Sequence, residues 1–130
     1  QSSELINEGA VPMFQEYIST SRGRDIRVWV VGGEVAGHTL RYNPGSFKSN
    51  FAQGGGVKDI ELDDKVAELA VNASRARGLE FAGVDILFGG GAWCEYLVCE
   101  VNGNAGFRTA SLIGGIDIPA ALAQYIAGLK

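Results

Sequence analysis

Glycine sets the layout of this chain. Nineteen of its 130 residues are glycine, gathered at Gly32-Gly33, Gly54-Gly55-Gly56, Gly89-Gly90-Gly91, Gly103, Gly106 and Gly114-Gly115. Apolar, β-branched runs lie between the clusters, so the glycines read as turns between strands and not as a low-complexity tract. Asp25 to Val31 and Glu34 to Tyr42 are strands, and Gly32-Gly33 between them tolerates the positive φ of a tight hairpin. Val11 to Ile18 reads as a further strand with Pro12 at its edge, followed by a polar loop to Arg24. Phe81 to Phe88 and Tyr96 to Asn102 are two more strands, on either side of the Gly89-Gly90-Gly91-Ala92-Trp93 turn.

Two helices complete the reading. Val66, Leu69, Ala70 and Ala73 recur at helical spacing from Asp64 to Arg77, with Asp63 as N-cap and Gly78 as stop. A second helix starts near Asp117, with Pro119 in its first turn and Leu122, Tyr125, Ile126 and Leu129 expected on one face. Pro44 to Gly56 is a polar, glycine-rich loop, and Val57 to Leu62 a short alternating segment. The fold class implied is one compact α/β or α+β unit of residues 1–130, with no internal repeat and no composition shift to mark a second domain.

Composition removes several function classes. The net charge of −4 and pI near 4.9 argue against nucleic acid as a partner, because such surfaces need clustered Lys and Arg. No apolar run is long enough for a membrane helix, and QSSELINEGA lacks the regions of a signal peptide, so a cytoplasmic protein with no membrane partner is expected. Cys94 and Cys99, five apart in what reads as one strand, would point to opposite faces and are expected to be reduced. Nothing resembles a nucleophile elbow, a phosphate-binding P-loop or a dinucleotide fingerprint. His38 stands alone, without a ligand at metal spacing, and is expected to be a partly exposed structural residue.

The chemistry concentrates in two acids. Asp85 sits inside GVDILF and Glu100 inside LVCEVN, where strand interiors should be apolar. A buried carboxylate must be paired or must hold a metal. Glu100 and Asn102, two apart, share a face, and Asp85 on a neighbouring strand could join them. Hard oxygen donors of this kind suit Mg²⁺ or Mn²⁺, with nucleotide phosphates completing the coordination. The competing reading is that the acids pair with buried arginines such as Arg27 or Arg41. A basic set, Arg24, Arg27, Arg41, Lys48 and Arg108, lies in or beside the glycine-rich loops, where it could hold phosphate oxygens or serve as solvated surface.

In order, FQEYI, RDIRVWVVGGEV, LRYNPGSFKSNFAQGGG, GVDILF, CEVNGNAGF and GIDIPAAL resemble the C-terminal ATP-grasp half of RimK-type α-L-glutamate ligases, over roughly residues 11 to 127. The resemblance implies an α+β fold, an antiparallel sheet with helices packed on one side, forming one jaw over ATP. It implies that Gln15, Glu16, Tyr17 and Ile18 lie along adenine, Asp25 near ribose or phosphates, and Arg41 and Lys48 near the phosphates or an acyl phosphate. Asp85, Glu100 and Asn102 would hold Mg²⁺.

The implied reaction is amide or peptide bond formation through an acyl phosphate, joining an amino-acid donor such as glutamate to a protein or small-molecule carboxylate acceptor. Two departures bear on substrate identity: Lys48 stands where the family commonly has Arg, and Asn102-Gly103-Asn104-Ala105-Gly106 replaces Asn-x-x-Pro-Gly, which implies a more flexible loop. The family's N-terminal ATP-grasp lobe, with its lysine and glycine-rich flap, has no counterpart in the chain. The chain alone is therefore expected to fold without catalysing. A non-catalytic nucleotide-binding or structural interaction module is the alternative.

Overall fold

The computed structural model describes residues 16–43, 55–90, 94–113 and 115–129. Its centre is a fully antiparallel five-stranded sheet: β1 (Arg24–Val31), β2 (Glu34–Tyr42), β3 (Gly56–Lys58), β4 (Phe81–Phe88) and β5 (Tyr96–Asn102), in the order β3-β2-β1-β4-β5. The β1–β2 hairpin turns on Gly32 and Gly33, at φ 59° and 82°. A side chain at Gly32 would also run into the Tyr125 ring. Helix α1 (Asp64–Ala76) connects β3 to β4, and α2 (Ile118–Gly128) ends the described chain.

Alternation along the central strands divides the sheet into unlike faces. Ile26, Val28 and Val30 of β1 join Ala82, Val84 and Ile86 of β4 against Val66 and Ala70 of α1, all buried. Trp29, on the other face, packs with Ala110, Ile118 and Leu122, so α2 covers the far end of the face that α1 leaves open. The antiparallel sheet with packed helices holds, but the helices lie on both faces and not on one side as expected, because Trp29 is bulky and needs cover of its own.

The helix signals are realised as expected. Asp63 caps α1 by accepting from the Lys65 backbone N–H at 2.9 Å, and Gly78 takes φ 67° just past its end. Asp117 caps α2 through the Ala120 N–H at 3.0 Å, with Pro119 in the first turn.

Several expectations change. Of the expected strand Val11 to Ile18, residues 11–15 lie outside the described residues, and Glu16 to Ile18 form no strand but lead into a 3-10 turn, Ser19–Ser21. That turn is tied to the end of β4: Thr20 Oγ1 donates to the Phe88 carbonyl at 2.6 Å, and Phe88 N–H donates to Ser21 Oγ at 3.1 Å. Ile126 on α2 and Leu129 just past its end are exposed, because only the Leu122 side of the helix reaches the Trp29 cluster. Cys94 precedes β5 and Cys99 lies within it, so the two do not share a strand; both are free thiols. His38 is half-buried and donates from Nε2 to the Ile60 carbonyl at 2.6 Å, the structural role expected of it. Among the described residues no helix is long and apolar enough to cross a membrane.

Ile86 is fully buried at the centre of the α1-facing core. Ile86→Ala should destabilise the protein by about 2–5 kcal/mol in urea unfolding, the usual cost of removing that volume from a packed interior. Asp63 gives a pH signature. The Lys65 N–H, followed by the Tyr96 hydroxyl at 3.0 Å, holds its carboxyl below the ordinary aspartate range. A lowered folded-state pKa adds stability that is present above the unfolded value and is lost as pH falls through the folded one. Asp63→Asn keeps a capping oxygen but not the charge, so its urea midpoint should fall less than that of the parent between about pH 5 and pH 2.

Candidate active site

The face opposite α1 carries a row of charged residues toward the Phe88 end of β4. Its construction follows from register. Asp25 lies across from Arg41 between β1 and β2, Arg27 across from Asp85 between β1 and β4, and Asp85 across from Glu100 between β4 and β5. Residues directly opposite each other share a face, so one side of the sheet presents Arg41, Asp25, Arg27, Asp85 and Glu100. Asn102 lies opposite Gly83 on the same face.

These groups form a continuous network. Arg41 is bidentate to Asp25, with Nε–Oδ1 at 2.8 Å and Nη2–Oδ2 at 2.6 Å, and its Nη2 also reaches Asp85 Oδ2 at 3.2 Å. Arg27 is bidentate to Asp85: its Nε donates to Oδ1 and its Nη2 to Oδ2 at 3.1 Å. Asp25 and Asp85 are buried, and the two arginines are mostly so. Two guanidinium groups balance two buried carboxylates, which is the condition for burying either. Burial opposes the charge on Arg41, but the hydrogen bond and charge of Asp25, joined by Asp85, outweigh it and raise its pKa.

Of the two readings left open for Asp85, the arginine pairing is thus present in the structure, with both arginines that the sequence suggested. Glu100 departs from its expectation. It is exposed, because β5 is the edge strand and has no partner on its far side among the described residues.

β5 bulges beside the site. Asp85 pairs with Glu100 but Ile86 with Val98, leaving Cys99 as the extra residue. Partial burial of Cys99, then the carboxylates of Asp85, Asp25 and Glu100, push its thiol pKa up.

The loop after β5 closes the site's other flank. Trp29 Nε1 donates to the Gly106 carbonyl at 3.1 Å, and Ala105 sits over Gly83 so closely that a side chain at Gly83 would collide with it. Asn102 Oδ1 accepts from the Asn104 N–H at 2.8 Å. The oxygen donors are of the hard type that suits Mg²⁺. Among the described residues, however, no group of three or more His, Cys, Asp or Glu side chains is gathered as a metal cluster. The set fits a divalent cation only as a half-site, with Glu100 open and Asp85 engaged by arginine.

The expected residues divide as follows. The structure brings Asp25, Arg41 and Asp85 into direct contact and sets Glu100 and Asn102 on the adjoining strand of the same face. Exposed Glu16 and Tyr17 and half-buried Ile18 stand before the turn at the Phe88 end. Gln15 and Lys48 lie outside the described residues, as does Gly54 of the glycine loop. Arg24 stacks over the Phe88 ring at 4.1 Å, and Arg108 is exposed. Arg27, expected only as a pairing partner or one of a scattered basic set, lies at the centre of the row. Its two-residue spacing from Asp25 in RDIR was the available signal, since it puts both on one face.

Residues 3–126 match the family model of the RimK-like ATP-grasp domain. The chain is 37% identical over 129 residues to beta-citrylglutamate synthase B of Homo sapiens, covering 98% of this chain and 33% of that protein. It is 40% identical over 115 residues to a probable alpha-L-glutamate ligase of Citrobacter koseri, covering 88% and 37%. The chain thus spans about a third of the length of the curated relatives it matches. Among solved structures, the ATP-grasp ligase PsnB, complexed with a phosphomimetic variant of its minimal precursor, Mg and ADP, aligns with a TM-score of 0.62 and 28% identity over 81% of this chain and 32% of that one. A RiPP-associated ATP-grasp ligase from Chryseobacterium gregarium aligns with a TM-score of 0.64 over 89% of this chain and 36% of that one, at 16% identity, a likeness of fold.

The network predicts a contrast in stability. Asp85→Ala strands Arg27 and leaves Arg41 with Asp25 alone, which should cost about 3–5 kcal/mol in urea unfolding, as expected for breaking a buried pair. Glu100→Ala removes an exposed carboxylate and should change stability by less than about 0.5 kcal/mol. Equal effects would mean that the buried network does not hold the sheet face together.

Proposed function

Because this chain belongs to the RimK-like ATP-grasp family, we propose that it supplies the metal- and phosphate-facing surface of an ATP-dependent carboxylate–amine ligase. The observation that carries the reading is the register that sets Arg27, Asp85 and Glu100 in one row across three strands, with Arg41 and Asp25 alongside. Opposite charges gathered at the end of the sheet face that, among the described residues, neither helix covers suit a polyanion that arrives with its own divalent cation.

In this reading Asp85, Glu100 and Asn102 hold Mg²⁺, which when bound neutralises charge on the ATP phosphates. Arg41 and Lys48 face the phosphates or the acyl phosphate, Asp25 orients Arg41, and Gln15, Glu16, Tyr17 and Ile18 line the adenine. A substrate carboxylate oxygen attacks the γ-phosphorus, the bridge to the β-phosphate breaks and ADP leaves. The donor amine then attacks the acyl carbon, phosphate departs, and the amine proton is lost. The chain's part is to orient charges and exclude water, and no side-chain nucleophile is required. Glutamate as the amine donor is supported by its recurrence in the names of the relatives.

A second reading rests on one specific observation, the closure of Arg27 and Arg41 on Asp85. On that reading the row is a structural ion-pair network in a non-catalytic module. Full-length protein supplied with Mg²⁺, ATP, glutamate and a panel of carboxylates separates the two. Glutamate-dependent ADP release that falls at least about 100-fold in Glu100→Gln, with the urea midpoint unchanged, is the expected result. Absence of ATP turnover and of Mg²⁺-dependent stabilisation would leave the structural reading standing.

A further inference from the structure

Arg27 lies between two acceptors on one sheet face. On the β4 side it is bidentate to Asp85. On the β2 side it pairs in register with Thr39, which is fully buried and whose Oγ1 has no hydrogen-bond partner among the described residues. Buried hydroxyls are rarely left unsatisfied, and an orphaned one in a native fold calls for an explanation. Directly opposed residues stand about 4.5–5.5 Å apart at Cβ, well within the sweep of an arginine side chain.

The neighbouring charges are arranged for such a movement. Arg41 keeps two bonds to Asp25 whatever Asp85 does, so its side of the network survives when Asp85 turns away. Arg27 is the residue that would lose its carboxylate. Glu100, exposed across from Asp85, is the second carboxylate on the side toward which Asp85 would turn.

We propose that Arg27 is a two-position counter-ion, closed on Asp85 in the cation-free protein and moved across to Thr39 Oγ1 when Asp85 and Glu100 engage a divalent cation. The proposal rests on the metal reading of Asp85 and Glu100 given above. Arg27 is then a positioning residue. It neutralises Asp85 while the site is empty, so the fold tolerates a buried carboxylate without metal, and it lowers cation affinity until a partner repays its displacement. Thr39 keeps the displaced guanidinium hydrogen-bonded in the alternative position.

Direct Mn²⁺ binding to nucleotide-free, full-length protein, followed by electron paramagnetic resonance, tests this without any turnover. Arg27→Met removes the competitor and should tighten Mn²⁺ binding on the order of tenfold. Thr39→Val removes the receiving acceptor at nearly constant shape and should weaken binding about fivefold. Its urea midpoint should be no lower than the parent's, because an unsatisfied hydroxyl is lost. A purely structural Thr39 would leave binding untouched. Where Arg27→Met does not fold, Thr39→Val carries the test alone.

Parent-like affinity in Thr39→Val, or unchanged or weaker binding in a folded Arg27→Met, overturns the proposal while leaving the metal site standing. Absence of Mn²⁺ binding to the nucleotide-free parent overturns the proposal, whereas the metal reading itself falls only if glutamate-dependent ADP release survives in Glu100→Gln.

Discussion

The structure turns on a charge balance at the middle of a sheet. Asp25 and Asp85 are buried on β1 and β4, and neither position could exist without Arg41 and Arg27 on the facing strands. Desolvating a carboxylate costs several kcal/mol after relaxation, more than a single well-packed side chain returns. The two forks remove that cost, and because each spans a strand boundary they also hold β2, β1 and β4 in register. The apolar residues on the opposite face make the same register the one that buries Ile26, Val28, Val84 and Ile86 beneath α1. A one-residue slip would expose that core and bury the charges unpaired.

The same sheet supports two unlike jobs because β-strands alternate. The α1 face is a conventional apolar core. The other is divided along its length, with Trp29, Ala110, Ile118 and α2 sealing one end and the charged row occupying the end near Phe88. The loop from Gly103 to Phe107 marks the boundary, fixed by the Trp29–Gly106 hydrogen bond and the close approach of Ala105 to Gly83. Glycine at 83 is required there by space, since the loop and Arg27 occupy the volume a side chain would need. The edge position of β5 and its bulge at Cys99 leave Glu100 open beside a fully neutralised Asp85.

The chain belongs to the RimK-like ATP-grasp family, and on the function proposed above the charged row would face the phosphates of a nucleotide. The region matched here is about a third of the length of the curated relatives.

Much was determined by the sequence alone, and for local reasons. The Gly32-Gly33 hairpin, the Asp63 and Asp117 caps, the Gly78 stop and the strands from Asp25, Glu34, Phe81 and Tyr96 depend on backbone conformation and on neighbours a few residues away. The two-residue spacing of Glu100 and Asn102 likewise put them on one face. Tertiary structure decided what depends on strand order. β5 is an edge, so Glu100 is exposed while Asp85, one strand inward, is buried. α2 lies over Trp29 instead of beside α1, which leaves Ile126 and Leu129 in solvent. Register also chose the partners, since nothing local in RDIRVWVV says which strand will face it. Only the pairing of β1 between β2 and β4 places Arg27 with a carboxylate on one side and an unsatisfied hydroxyl on the other. Pairing between distant segments is settled by the burial of whole faces, and that is a property of the assembled sheet.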